Sequence, residues 1–128
     1  MTDLAQRASH SVVVLHQQIE ALFHGDGSQL ATMLDHFNED FEMVTPGGKR
    51  LALTDVAALF DQLTGARQGM TITIEQCNVI TQAGDEVVIQ YRERQEMQGK
   101  ETNRISLAVI NCATQPPRWR YLQETMIA

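Results

Sequence analysis

The chain has 128 residues, 43% hydrophobic and 20% charged, with a formal net charge of −6 and a pI near 5.1. That length predicts a single domain over residues 1–128, large enough to bury a core without disulfides or metal. Ten scattered Lys and Arg against sixteen Asp and Glu lack the basic footprint of a nucleic-acid binder, and no apolar run nears the ~18 residues of a membrane span.

Met1-Thr2-Asp3-Leu4 shows no basic region followed by an apolar run, so the cytoplasm is the expected compartment. From there Leu4, Ala8, Val12, Leu15, Ile19, Leu22 and Phe23 recur at helical intervals. They predict a long first helix, capped by Thr2 and ended by Gly25. Ser28 reads as the cap of a shorter helix with Leu30, Met33, Leu34 and Phe37 on one face. Phe41 to Thr45 alternates as a short strand, stopped by Pro46-Gly47-Gly48, and a second short strand follows at Lys49 to Ala52. Val56, Leu59, Phe60 and Leu63 then predict a third helix between Thr54 and Gly65.

From Met70 the period changes from 3.6 to 2. Turns at Ala83-Gly84-Asp85, Gly99-Lys100 and Pro116-Pro117 separate four long strands, which predicts an antiparallel meander. Helices first and sheet later is α+β patterning, with N-terminal helices packed on a strongly curved antiparallel sheet. One register conflict arises. A turn at Gly99-Lys100 sets Arg94 opposite Ile105, whereas Ile105, Leu107 and Val109 read as a buried face matching Ile89 and Tyr91. Reconciling the faces requires a bulge or odd-length loop between Met97 and Asn103.

The element order, with Asp40-Phe41-Glu42-Met43-Val44-Thr45-Pro46-Gly47, Tyr91-Arg92-Glu93 and Trp119 to Thr125, resembles the nuclear transport factor 2-like superfamily. Within it the chain looks most like small bacterial domains related to polyketide-cyclase-like proteins and to the kinase association domain. The resemblance implies a cone-like sheet closed by the first helix, a pocket between them, and a homodimer formed through the sheet. Such folds host isomerases, dehydratases, cyclases, binders and assembly modules, so the fold alone does not assign a function. The steroid-isomerase branch carries a carboxylate base immediately before the proline that ends its first strand. This chain has Thr45 there, a hydroxyl unable to serve as a base near neutral pH.

Tyr91 and Glu93 share a strand face with Val87 and Ile89, so Glu93 is a candidate acid, base or ligand anchor, or a structural partner of Arg104. Trp119, Tyr121, Gln123 and Thr125 alternate on one face of the last strand, putting Leu122 and Glu124 on the other, where Arg92 or Arg94 would pair with Glu124. His16 flanks the buried stripe of the first helix and could reach a pocket, while His10, His24 and His36 read as exposed or terminal. His16 and Glu20 lie at i, i+4, but two ligands do not make a metal site, and no nucleophile elbow or phosphate loop occurs. Cys77 and Cys112 lack CxxC spacing and read as buried thiols.

The resulting expectation is a binder of a modest, partly apolar molecule, with no metal or cofactor. Its candidate pocket residues are His16, Thr45, Tyr91, Glu93, Trp119, Tyr121 and Gln123. The alternatives are a lyase, isomerase or cyclase using Glu93 with Tyr91 or His16, and an assembly module whose cone is filled by side chains.

Overall fold

The computed structural model describes residues 3–127. Helix α1 (Leu4–Phe23) turns the predicted stripe inward, burying Ala8, Val12, Leu15, Ile19, Leu22 and Phe23. Its N-terminus is capped by the Asp3 carboxylate, which accepts the Ala5 N–H at 2.9 Å; the predicted cap Thr2 lies outside the described residues. Gly25, at φ +113°, ends the helix in a conformation that favours glycine.

Helix α2 (Gln29–Leu34) is shorter than its apolar spacing predicts. Phe37 does not close that helix but opens strand β1 (Phe37–Val44), where its ring packs on Phe41 at 4.5 Å and on Trp119 at 6.5 Å. Burial among aromatic rings outweighs a single position of helical periodicity. Strand β2 (Arg50–Ala52) returns antiparallel to β1 through a turn in which the Lys49 N–H donates to Thr45 Oγ1 at 3.1 Å. Helix α3 (Leu53–Leu63) follows, its start fixed by Asp55 accepting the Ala52 N–H at 3.0 Å. Its exit ties back to α1, since Gly65 N–H donates to Leu22 and Arg67 N–H to Phe23.

Strands β3 (Thr71–Ala83), β4 (Glu86–Met97), β5 (Lys100–Asn111) and β6 (Arg118–Ile127) form the antiparallel meander. Strand β1 joins β6 in parallel, giving a mixed, curved sheet of order β2-β1-β6-β5-β4-β3. Helix α1 packs on β3 and β4, and the Glu20 carboxylate pins it there by accepting the Ile72 N–H at 2.8 Å.

The β4–β5 hairpin is regular, so the predicted irregularity between Met97 and Asn103 is wrong. The turn falls at Gln98-Gly99, one residue earlier than expected, with positive φ at both positions (53° and 78°), as a two-residue hairpin turn requires. Moving a two-residue turn by one position shifts every partner by two residues and keeps its face, so the conflict is resolved by Ile105, Leu107 and Val109 not being the core face. Tyr91 faces Ser106 and Ile89 faces Ala108, while Ile105, Leu107 and Val109 lie on the outer face.

The irregularities sit elsewhere. Strand β3 slips between Glu75 and Asn78, where Gln76 takes φ 55°, and again between Val79 and Thr81. Strand β6 slips against β5 at Arg120, so Val109 faces Tyr121 while Ile110 faces Trp119. Such extra residues bend a strand and sharpen its twist.

Candidate functional site

Strand alternation stacks the inner face of β4 as Val87, Ile89, Tyr91, Glu93 and Gln95, all buried. The matching inner face of β5 runs Ile110, Ala108, Ser106 and Arg104. The lining thus passes from aliphatic to polar along each strand, and α1 lies across it. A cavity of about 240 Å³ remains between helix and sheet. Phe23, Phe37, Phe41, Phe60, Trp119 and Leu122 line its walls, and His16, Glu93, Gln95, Arg104 and Glu124 converge on it. The cone is therefore not packed shut by its phenylalanines.

His16 and Glu93 form the centre of the polar group. His16 Nδ1–H donates to the Val12 carbonyl at 2.7 Å, because a carbonyl only accepts. The other nitrogen, Nε2, meets Glu93 Oε1 at 3.1 Å, and Gln95 Nε2 donates to Glu93 Oε2 at 2.6 Å. Burial opposes charge on both partners, yet their mutual attraction prevails. The Glu93 carboxyl, despite its desolvation, is held down at about 2 by His16, Gln95 and Arg104. Burial pulls the His16 imidazole down as well, but Glu93 carries it above its ordinary value. The mutual attraction favours the imidazolium–carboxylate form of the pair over the neutral one.

Glu124 lines the same cavity, 3.5 Å from Arg104 Nη1 through each of its oxygens. Burial, reinforced by the Glu93 charge, pushes its carboxyl up despite the arginine. The sequence placed Glu124 on the opposite face and Tyr121 and Gln123 in the pocket; the structure reverses this. The bulge at Arg120 restarts the alternation, so Trp119, Leu122 and Glu124 face inward. Tyr121 and Gln123 lie outside, their side chains hydrogen-bonded to each other at 2.7 Å.

Of the other sequence candidates, Thr45 sits at the cavity rim and Trp119 forms one wall, its Nε1–H donated to Ser11 Oγ at 2.9 Å. Tyr91 lies behind the pair rather than on the cavity, with its ring edge-on to His16 at 5.4 Å. Burial and the charges of Glu93 and Glu124 drive its phenol well above the ordinary value, so it stays protonated. Its buried hydroxyl has no hydrogen-bond partner among the described residues, and neither has Ser106 across the ladder. Tyr91→Phe is therefore expected to leave stability unchanged or raise it by up to ~1 kcal/mol, as urea denaturation would read. A loss above that range would show that the hydroxyl holds the fold.

Gln95 and Arg104 were not among the sequence candidates for the pocket. Both were legible in part, because Gln95 is two residues beyond Glu93 on one strand and Arg104 faces Glu93 across the ladder. His36 is buried rather than exposed, and Cys77 is exposed while Cys112 is buried. Glu20 accepts the Ile72 N–H, and His16 is held by Val12 and Glu93. No cluster of three or more metal-ligating side chains occurs among the described residues, and no helix among them is long and apolar enough to cross a membrane.

A larger groove of about 720 Å³ lies outside, between α1 and the loop before β6. It is open to solvent, and its arginine, Arg7, is already engaged with the Cys112 and Thr114 carbonyls and the Gln115 side chain. The inner cavity is the one where polar groups converge inside apolar walls.

No protein-family profile and no curated protein matches the chain. Among solved structures, a nuclear transport factor 2-like protein of unknown function from Pseudomonas aeruginosa is similar over 95% of this chain and 99% of its own, at 29% identity and TM-score 0.90. The β subunit of benzoate 1,2-dioxygenase from Burkholderia mallei is similar in fold at 10% identity and TM-score 0.71, over 91% and 88% of the two chains. A dehydratase candidate of the same fold family from Streptomyces avermitilis gives 11% identity and TM-score 0.72, over 93% and 95%. With the helices, the curved unclosed sheet and the near full-length match, the chain belongs to the nuclear transport factor 2-like superfamily.

Proposed function

We propose that this chain binds a small, partly apolar molecule in the cone between α1 and the sheet. The observation that carries this reading is the convergence of five polar side chains on a cavity walled by aromatic and aliphatic groups. At about 240 Å³ the cavity falls below the ~300–1,000 Å³ usual for drug-sized ligands, so the ligand is compact.

A binder fits better than a catalyst because the ion pair is already committed. Both His16 nitrogens and both Glu93 oxygens have partners, leaving no free base edge toward a ligand. The second reading, a lyase or isomerase type of enzyme, is favoured by the same pair if a substrate inserts between His16 and Glu93 and takes up their shared proton. The proposal also has two copies pairing through the outer sheet face, where Val88, Ile105, Leu107 and Val109 form an apolar stripe.

Native mass spectrometry tests the binding and the pairing together. The expected result is one small molecule per chain and a mass of two chains. Leu59, which is 39% exposed and lines the cavity mouth, supplies the control. Leu59→Trp should block the mouth and abolish the bound mass with little change in melting temperature. Retention of the same molecule by the blocked variant would place the ligand elsewhere, and conversion of the released molecule by wild type would favour the enzyme.

A further inference from the structure

Two cations among the described residues line the cavity without a firm anionic partner: Arg67, which lies over the Phe23 ring at 5.0 Å, and Arg104, which sits beside Glu93 and Glu124 with a buried, unpaired Nε. Arg104 faces Glu93 across the β4–β5 ladder, and its side chain is 18% exposed. Only Nη1 touches a carboxylate, dividing itself between both Glu124 oxygens at 3.5 Å, the outer limit of a hydrogen bond. Its buried Nε has no partner among the described residues. A guanidinium offers five donors in a planar fork, and a desolvated fork this poorly engaged is matched by a planar group with two acceptor oxygens. The other polar groups are better satisfied, with His16 locked between Val12 and Glu93 and Gln95 holding the second Glu93 oxygen.

We infer that the ligand is a small monocarboxylic acid, its carboxylate received by Arg104 and its apolar body lying among Phe37, Phe41, Phe60 and Trp119. This inference rests on the binding proposal and names the class of its ligand. A single negative charge is what the site accommodates. With His16, Arg67 and Arg104 charged against Glu93 and Glu124 the cavity groups sum to +1, which one carboxylate neutralises, and Glu93 and Glu124 repel further charge. A dianion such as a phosphate monoester is disfavoured on that ground.

The charge balance also sets the pH response. Glu124 is faced by Arg104 from β5, Glu93 from β4 and His16 from α1, and Arg67 lines the cavity from the segment after α3. Its carboxyl is already pushed up by burial and by Glu93, so an arriving carboxylate raises it further and binds together with a proton. Affinity for the acid therefore rises as pH falls toward the raised Glu124 value.

The test is calorimetric titration of the full chain with 3-phenylpropanoate and with its neutral amide, 3-phenylpropanamide. The acid should bind at least about 10-fold tighter than the amide, the usual margin of a charge-assisted hydrogen bond over a neutral one. Arg104→Lys, which keeps the charge but loses the fork, should lower acid affinity about 10-fold and leave the amide unchanged. Glu124→Gln should fold, bind the acid, and weaken the pH dependence to the part that His16 contributes. Thermal melts of each variant separate lost binding from lost folding. Equal binding of acid and amide, or unchanged acid binding by Arg104→Lys, would overturn the inference. So would a neutral molecule found in the native mass spectrum, which leaves the binding proposal standing. If neither probe binds and nothing co-purifies, both proposals fall.

Discussion

Glu93→Gln is expected to destabilise the protein by about 3 kcal/mol at pH 6, the scale measured when one partner of a buried ion pair is removed. The carboxylate is 3% exposed and its two oxygens hold His16 and Gln95, so the amide leaves an imidazole without a counter-charge. In the variant His16 should move down from its raised value, because burial, the largest influence on it, is then opposed only by the Val12 carbonyl and the more distant Glu124. Urea denaturation gives the stability, and the imidazole NMR signal gives the titration. A variant as stable as wild type, with His16 unmoved, would mean that the pair carries no net interaction.

The same pair predicts the pH profile. Glu93 is lowered from 4.5 to about 2, so its contribution is complete above the unfolded value and is lost as pH falls from about 4.5 toward 2. His16 is raised from 6.5, so its contribution is complete below 6.5 and is lost as pH rises through the folded value. Stability from the pair is therefore greatest between about 4.5 and 6.5. In Glu93→Gln that maximum should flatten.

Trp119→Ala is expected to cost about 3–5 kcal/mol, a large share of the ~5–15 kcal/mol total of an ordinary domain. The indole is fully buried among Phe37, His16 and Tyr91, with ring centroids 6.2 to 6.5 Å away, and its N–H is held by Ser11. Trp119→Phe keeps the wall but leaves the Ser11 hydroxyl without its donor, so about 1 kcal/mol is expected. Denaturation midpoints of the two variants separate packing from the hydrogen bond. Similar losses in both would assign the effect to the hydrogen bond.

The helices and the meander were legible because they rest on periodicity. The stripe from Ala8 to Phe23 and the alternation from Val87 to Glu93 identify buried faces without any knowledge of their partners. What failed was the allocation of faces on β5 and β6. Ile105, Leu107 and Val109 read as core because they are apolar, yet they occupy the outer face, and the inner face opposite Tyr91 is a serine. Tyr121 and Gln123 were misplaced for a different reason. A bulge leaves no compositional mark, and Arg120 looks like any outward-facing strand residue. The ion pair was half legible: His16 and Glu93 were each identified from their own element, but nothing local joins residues 77 positions apart.

The Arg120 bulge is also a point where shape and chemistry come apart. Without Arg120, Trp119 would stay inside, Tyr121 outside and Leu122 inside, which is plain alternation with the present inward set. Only the local kink would go. A lineage that gained or lost this one residue could widen or flatten the mouth of the cone without exchanging a single lining side chain. Related chains of this shape can thus differ in the size of molecule they admit while keeping the same groups to hold it.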